Sequence, residues 1–369
     1  MERPIEPPAD PRDDSDEAAV EGATPARAAV RRDVPLGAIV FLAVLVLLLG
    51  GYSLLRSARS PQGAAPTPVS SRPLTAGASS SPSTAEPSSS ARGSTAPGES
   101  AAPSRDAVLV GAGDIASCSL EGDTATANLI DGIVGTVFTA GDNAYDSGSD
   151  GDFRDCYGPT WGRFKDRTRP VAGNHDWETK NAQGYRDYFG DAALNSDGDT
   201  WYSFDVGAWH IVMLDANCSK VGGCDADSDE GRWLAADLAA HPATCTMAIW
   251  HEPRFSSGDR HGNDPEVDPF WRALYAAGAD VVVNGHDHDY ERFAPQDPDQ
   301  HPDAARGIRE FVVGTGGAEL RKFSAPVANS ELRLAVDLGV IKFTLHPRGY
   351  DWTWLSTGRV TDSGSALCH

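Results

Sequence analysis

Basic residues are scarce in this chain of 369 residues: 31 Lys and Arg stand against 53 Asp and Glu, a formal charge of −22. The deficit falls mainly on residues 106–369, which hold 42 acids and 21 bases. Nucleic-acid affinity rests on clustered Lys and Arg, so a long polynucleotide is not an expected partner. C-x-x-C pairs are also missing, which argues against a zinc ribbon or a thioredoxin-like motif. Aromatic residues are absent from residues 56–105, where Ser, Ala, Pro, Thr and Gly dominate. A segment of that kind buries too little apolar surface to offset its ordering entropy, so it reads as a linker of roughly 40 Å mean span. No internal repeat is visible.

What is present points outward from the cytoplasm. The six cysteines, Cys118, Cys156, Cys218, Cys224, Cys245 and Cys368, form an even set without metal spacing and read as disulfides in an oxidising compartment. Residues 34–55 form a charge-free run of 22, and roughly 20 apolar residues suffice to cross a bilayer. The run is longer than a signal-peptide core and is preceded by 33 residues, which favours an uncleaved signal anchor. Secretion after cleavage is the lesser option, and Arg31-Arg32 offers only a faint twin-arginine signal. Four pieces are expected: an acidic, disordered cytoplasmic tail over 1–33, a transmembrane anchor over 34–55, the linker over 56–105, and an extracytoplasmic domain over 106–369.

Within that domain, short β-rich runs alternate with helical patterns. Apolar strands are expected over 107–112, 136–140, 168–172, 209–214, 246–250 and 280–284, with a helix near 124–131. Polar residues stand at the carboxyl end of one strand after another: Asp114, Asp142 with Tyr145, Asn174 with His175, His251, then His286 and His288. In open α/β sheets that edge is where ligands bind. Each piece alone also reads as an ordinary turn or a packed core residue; together they are far more specific. Two carboxylates, a phenol, an amide oxygen and three imidazoles exceed the needs of one tetrahedral zinc, and thiolates are absent. The set suits two cations sharing one carboxylate, an arrangement that clamps a phosphoryl group and generates a hydroxide nucleophile. Strand spacing in His286-Asp287-His288 places both imidazoles on one face.

Gly113-Asp114, Gly141-Asp142-Asn143-Ala144-Tyr145, Gly173-Asn174-His175-Asp176, Trp250-His251 and Gly285-His286-Asp287-His288-Asp289-Tyr290-Glu291-Arg292 resemble the five blocks of the calcineurin-like metallophosphoesterases. Alanine at 116, where most of that superfamily carries histidine, together with Tyr145, is similar to the purple acid phosphatase branch. The resemblance implies an α/β fold of two packed mixed sheets flanked by helices. It further implies an Fe(III) site of Asp114, Asp142, Tyr145 and His288, and a divalent site (Fe, Zn or Mn) of Asp142, Asn174, His251 and His286. His175 would contact phosphate or handle protons, and His261 would stand near the leaving group. The activity so implied is hydrolysis of small phosphate monoesters by metal-bound hydroxide. A phosphodiesterase or nucleotide hydrolase, and a non-catalytic surface protein that keeps the fold, are the alternatives. Glu252 adds an acid beside the expected path of an anionic substrate, and the sequence offers no account of it. Among the cysteines, the short loop between Cys218 and Cys224 favours their pairing. Cys118 and Cys156 each follow a metal-bearing loop, and elimination leaves Cys245 with Cys368.

Overall fold

Strands read as unbroken apolar runs when both of their faces are covered, and the computed structural model, which describes residues 106–369, bears this out. The expected tail, anchor and linker lie outside the described residues. Among the described residues no helix is long and apolar enough to cross a membrane.

The first sheet opens with three parallel strands, β1 (Ala107–Ala112), β2 (Thr136–Ala140) and β3 (Thr168–Val171). The second is built from β4 (Tyr202–Val206), β5 (Trp209–Met213), β6 (Cys245–Ile249), β7 (Val281–Asn284), β8 (Tyr290–Phe293), β9 (Arg309–Val313) and β10 (Ser330–Leu334). The chain then returns to the first sheet through β11 (Gly339–His346), β12 (Gly349–Ser356) and β13 (Asp362–Leu367). The orders are β13-β12-β11-β1-β2-β3 and β10-β8-β9-β7-β6-β5-β4, both mixed. Strands β5, β6, β7 and β9 run parallel, so their carboxyl ends share one edge.

Side chains alternate across a strand with period two, and that alternation divides the interior. Ile211, Met213, Met247, Ile249, Val281 and Val283 join Phe138, Phe343 and Trp352 in a core between the sheets. Phe311 of β9 meets Phe343 of β11 and Trp352 of β12 with ring centroids 5.4 and 5.6 Å apart. Val212, Ala248 and Val282 point the other way, into a second cluster with Leu234, Phe270, Trp271 and Leu274. Those last four come from helices that cover this face. Helix α1 (Gly122–Ile130) packs against β11 and β12, and α2 (Gln183–Phe189) follows β3. Helix α3 (Asp229–Ala240) is capped by Ser228, which accepts from the Gly231 N–H. Helix α4 (Asp268–Ala277) carries Pro269 in its first turn and stops at Gly278 in the left-handed region.

All three expected disulfides are present, Cys118–Cys156, Cys218–Cys224 and Cys245–Cys368, with Cα atoms 4.9, 5.0 and 5.5 Å apart. No cysteine among the described residues is free.

Candidate metal centre

Six of the seven expected donors lie just past a strand end, and Tyr145 lies further along the loop after β2. Asp114 follows β1, Asp142 follows β2, Asn174 follows β3, His251 follows β6, and His286 and His288 follow β7. One expectation needs correction. Strand β7 ends at Asn284, so His286 and His288 belong to the turn before β8 rather than to one strand face. Backbone conformation brings them together instead: His286 has a φ of 71°, in the left-handed region. Asp114 and Asp142 share that region with φ of 60° and 48°. Non-glycine residues held there mark sites where the surroundings dictate the backbone. Close approach also dictates the flanking glycines. A Cβ on Gly141 would lie 2.4 Å from Nδ1 of His251, and one on Gly173 would lie 2.2 Å from Oδ1 of Asp142.

The side chains gather around two foci. At the first, the Tyr145 hydroxyl stands 3.0 Å from Asp114 Oδ1, 3.1 Å from Asp142 Oδ2 and 3.2 Å from His288 Nε2. At the second, His251 Nε2 stands 3.3 Å from Asp142 Oδ2, 3.2 Å from Asn174 Oδ1 and 3.2 Å from His286 Nδ1. Asp142 Oδ2 belongs to both. All seven expected donors thus converge, in the two groups of four the sequence anticipated.

The chemistry of the set fits cations. His251 Nδ1 pairs with the Ala140 carbonyl at 2.8 Å, and His288 Nδ1 with the Glu319 carbonyl at 2.8 Å. Each ring therefore offers its Nε2 lone pair inward, the arrangement by which second partners orient metal-binding imidazoles. Asp114 and Asp142 are almost fully buried. Burial alone would raise their pKa values, yet both are lowered, Asp114 chiefly by His288 and Asp142 chiefly by His251. Charge goes the other way on Tyr145, whose phenol is pushed well up by burial and by Asp114 and Asp142. A phenolate here requires a cation to stabilise it.

A model of the calcineurin-like phosphoesterase family matches residues 101–290, more than half of the chain. The chain belongs to that family. Purple acid phosphatase 15 of Arabidopsis thaliana is 33% identical over 150 residues, covering 36% of this chain and 27% of the relative. Purple acid phosphatase 21 of the same plant is 32% identical over 236 residues, covering 55% and 51%. The chain thus spans between about a quarter and about half of these relatives' length. Among solved structures, purple acid phosphatase PPD1 from yellow lupin matches with a TM-score of 0.59 at 18% identity, covering 72% of this chain and 54% of that one. GAP50, the anchor in the inner membrane complex of Plasmodium, matches with 0.54 at 17% identity, covering 72% and 90%. This calcineurin-like fold accordingly occurs in proteins described both as phosphatase and as anchor, and fold alone does not assign activity.

Around the donor set of this family member stand two further histidines. His175 pairs through Nδ1 with the Asp146 carbonyl at 2.6 Å, and its Nε2 lies 3.9 Å from Asp142 Oδ2. Burial lowers its pKa, but Asp142 and the Asp146 carbonyl together raise it. His261 is exposed at the rim, with its ring centroid 3.9 Å from that of His286. Arg321 Nη1 donates to its Nε2 at 2.6 Å. Arginine only donates, so the neutral His261 ring carries its proton on Nδ1 in this arrangement. Glu252 is buried, and burial pushes its carboxyl up to about 8, which weakens the negative charge it brings to the site.

Three neighbours were not assigned roles from sequence. Asp176 accepts from the Gly173 N–H at 2.9 Å and the Asn143 amide at 2.9 Å, fixing both metal-side loops. Asp287 accepts from the Ser256 hydroxyl and from the Gly262 N–H at 3.1 Å, which anchors the loop bearing His261. Both sit inside the quoted blocks, where a carboxylate beside a donor was the available signal. Arg321 lies in a loop after β9 with no motif to reveal it.

Proposed function

We propose that this chain is a metal-dependent phosphatase that hydrolyses small phosphate monoesters at a dinuclear centre. The single observation that carries the reading is Asp142 Oδ2, shared between the Tyr145-centred and His251-centred groups. Asp114, Asp142, Tyr145 and His288 would hold Fe(III), and Asp142, Asn174, His251 and His286 a divalent Fe, Zn or Mn. When bound, the metal pair supplies Lewis acidity and an activated water. The protein's own residues do the rest. Asp114 is fixed by the His286 N–H at 2.8 Å and Asp142 by the His175 N–H at 2.9 Å, so neither carboxylate swings toward substrate. His175 directs Nε2 into the site, where it binds a phosphoryl oxygen or holds a proton for the leaving group. His261 would take the second position at the leaving side.

Three disulfides, together with the apolar run at residues 34–55, support a single-pass membrane protein with this domain outside the cytoplasm. Protease accessibility on intact cells, compared with lysed cells, checks that placement.

The function is tested by loading the protein with iron and zinc, then measuring turnover on nitrophenyl phosphate and bis(nitrophenyl) phosphate together with the visible spectrum. Monoester turnover with a phenolate-to-iron band is expected, and Tyr145→Phe should lose the band while keeping its iron. Preferential diester cleavage would transfer the assignment to a phosphodiesterase. An iron-replete, active protein without the band would remove Tyr145 from the ligand set.

A further inference from the structure

In so acidic a molecule, an arginine beside the centre is informative. The Arg321 N–H donates to the His288 carbonyl at 3.0 Å, and the Asp259 N–H donates to the Lys322 carbonyl at 3.0 Å. A bridge between Gly258 and Phe323 adds a further link. The loop after β9 and the loop bearing His261 are therefore laced into one wall of the site. Asp287, buried between them, fixes the second loop from beneath. The guanidinium reaches the rim from this wall, with Nη1 2.6 Å from His261 Nε2, while the His261 ring lies against His286. Only one side chain separates its charge from the second focus.

We propose that Arg321 binds a second anionic group of the substrate, attached next to the scissile phosphoryl, and so favours phosphate compounds that carry a neighbouring phosphate or carboxylate. The inference rests on the phosphatase reading above and names the substrate class within it. Guanidinium is matched to such groups by its permanent charge and planar fork, which grips two oxygens at once. The hydrogen bond to His261 already holds the Arg321 side chain at the rim, so little of its freedom remains to be lost when an anion arrives. Inorganic diphosphate is the simplest case: water supplies the oxygen that bonds to one phosphorus, the P–O bond to the bridging oxygen breaks, and two phosphate ions leave. His261 then gains a second consequence. An anion that takes up Arg321 releases the hydrogen bond on Nε2 and leaves that nitrogen open to a proton.

The test uses the full metal-loaded chain and compares kcat/KM for diphosphate with kcat/KM for phenyl phosphate. In Arg321→Gln the ratio of the two should fall about tenfold or more, as expected for loss of a charge-assisted contact, and Arg321→Lys should recover part of it. An unchanged ratio overturns the proposal. So does a fall that disappears in a His261→Ala background, because Arg321 would then act only by holding His261. Calorimetry with methylenediphosphonate and methylphosphonate separates this inference from the activity it rests on. A chain that turns over no ester, yet binds the diphosphonate more tightly by an Arg321-dependent factor, retains the anion site and loses the phosphatase reading. An active chain with no such preference does the reverse.

Discussion

Single residues decide how this centre is held. Asp287 stands between two proposed ligands, but its own carboxylate turns to Ser256 and Gly262. A Cβ on Gly258 would lie 2.2 Å from its carboxyl carbon, so loop and carboxylate are in close contact. Asp287→Ala strands the buried Ser256 hydroxyl and the part-buried Gly262 N–H and frees the loop that carries His261. Its kcat for an alkyl phosphate should therefore fall about tenfold more than its kcat for nitrophenyl phosphate, which needs no proton on departure. Equal losses on the two substrates would mean that Asp287 acts on the metals rather than on the loop. Most of the donors were legible as polar residues soon after an apolar strand, whereas Tyr145 and His288, further along their loops, were legible only through their blocks. Asp176 and Asp287 were visible only as letters within motifs, since a carboxylate that positions a backbone N–H leaves no periodic trace. Arg321 was illegible: its proximity arises from the path of the chain after β9.

At the scale of elements, His210 joins β5 to its neighbours. Its Nδ1 pairs with Asp205 of β4 at 2.9 Å, and its Nε2 with Asp237 of α3 at 2.8 Å. Burial lowers the imidazole pKa, but Asp237 and Asp205 outweigh it and raise the value; burial raises Asp237, and His210 outweighs it and lowers the value. A histidine raised in the fold contributes stability that is fully present below its unfolded pKa of roughly 6.5 and is lost as pH rises through the folded value. A depressed aspartate contributes stability present above its unfolded pKa, lost as pH falls through the folded one. The clasp is thus strongest in mildly acid solution. The Tm difference between wild type and His210→Gln should be larger at pH 6 than at pH 9, and a gap that does not shrink would refute the ionic clasp. Six strands were readable from their apolar runs. The outlying ones were not: β10 (SELRL) and β13 (DSGSAL) lie at sheet edges, with polar residues on an open face. Strand β12 did carry the signal, with Tyr350, Trp352 and Trp354 alternating inward, but its polar intervening residues masked it.

For the molecule as a whole, covalent and metal links tie distant parts of one domain. Cys245–Cys368 closes a separation of 123 residues and Cys218–Cys224 one of 6, for which chain entropy gives about 5 and about 2 kcal/mol. Replacing the first pair with serine should lower Tm more than replacing the second, as calorimetry can establish. The metals would act in the same sense across the sheets. Asp114, Asp142 and Asn174 come from the first sheet, and His251, His286 and His288 from the second. An ion bound only by the folded chain stabilises it by about 2.7 kcal/mol at a hundredfold excess over its Kd. Two such ions, in a domain of this size, should raise Tm by about 10 °C or more over the chelator-treated protein. Asp142→Asn removes the shared carboxylate and should abolish most of that increment, whereas Asn174→Ala should remove only the part due to one ion. Because Asp142 also carries the His175 N–H, its variant will lower the chelated Tm as well; the decisive quantity is the difference on adding metal. A wild-type Tm indifferent to chelator and to added iron and zinc would refute the two-ion centre, whatever the geometry of its donors.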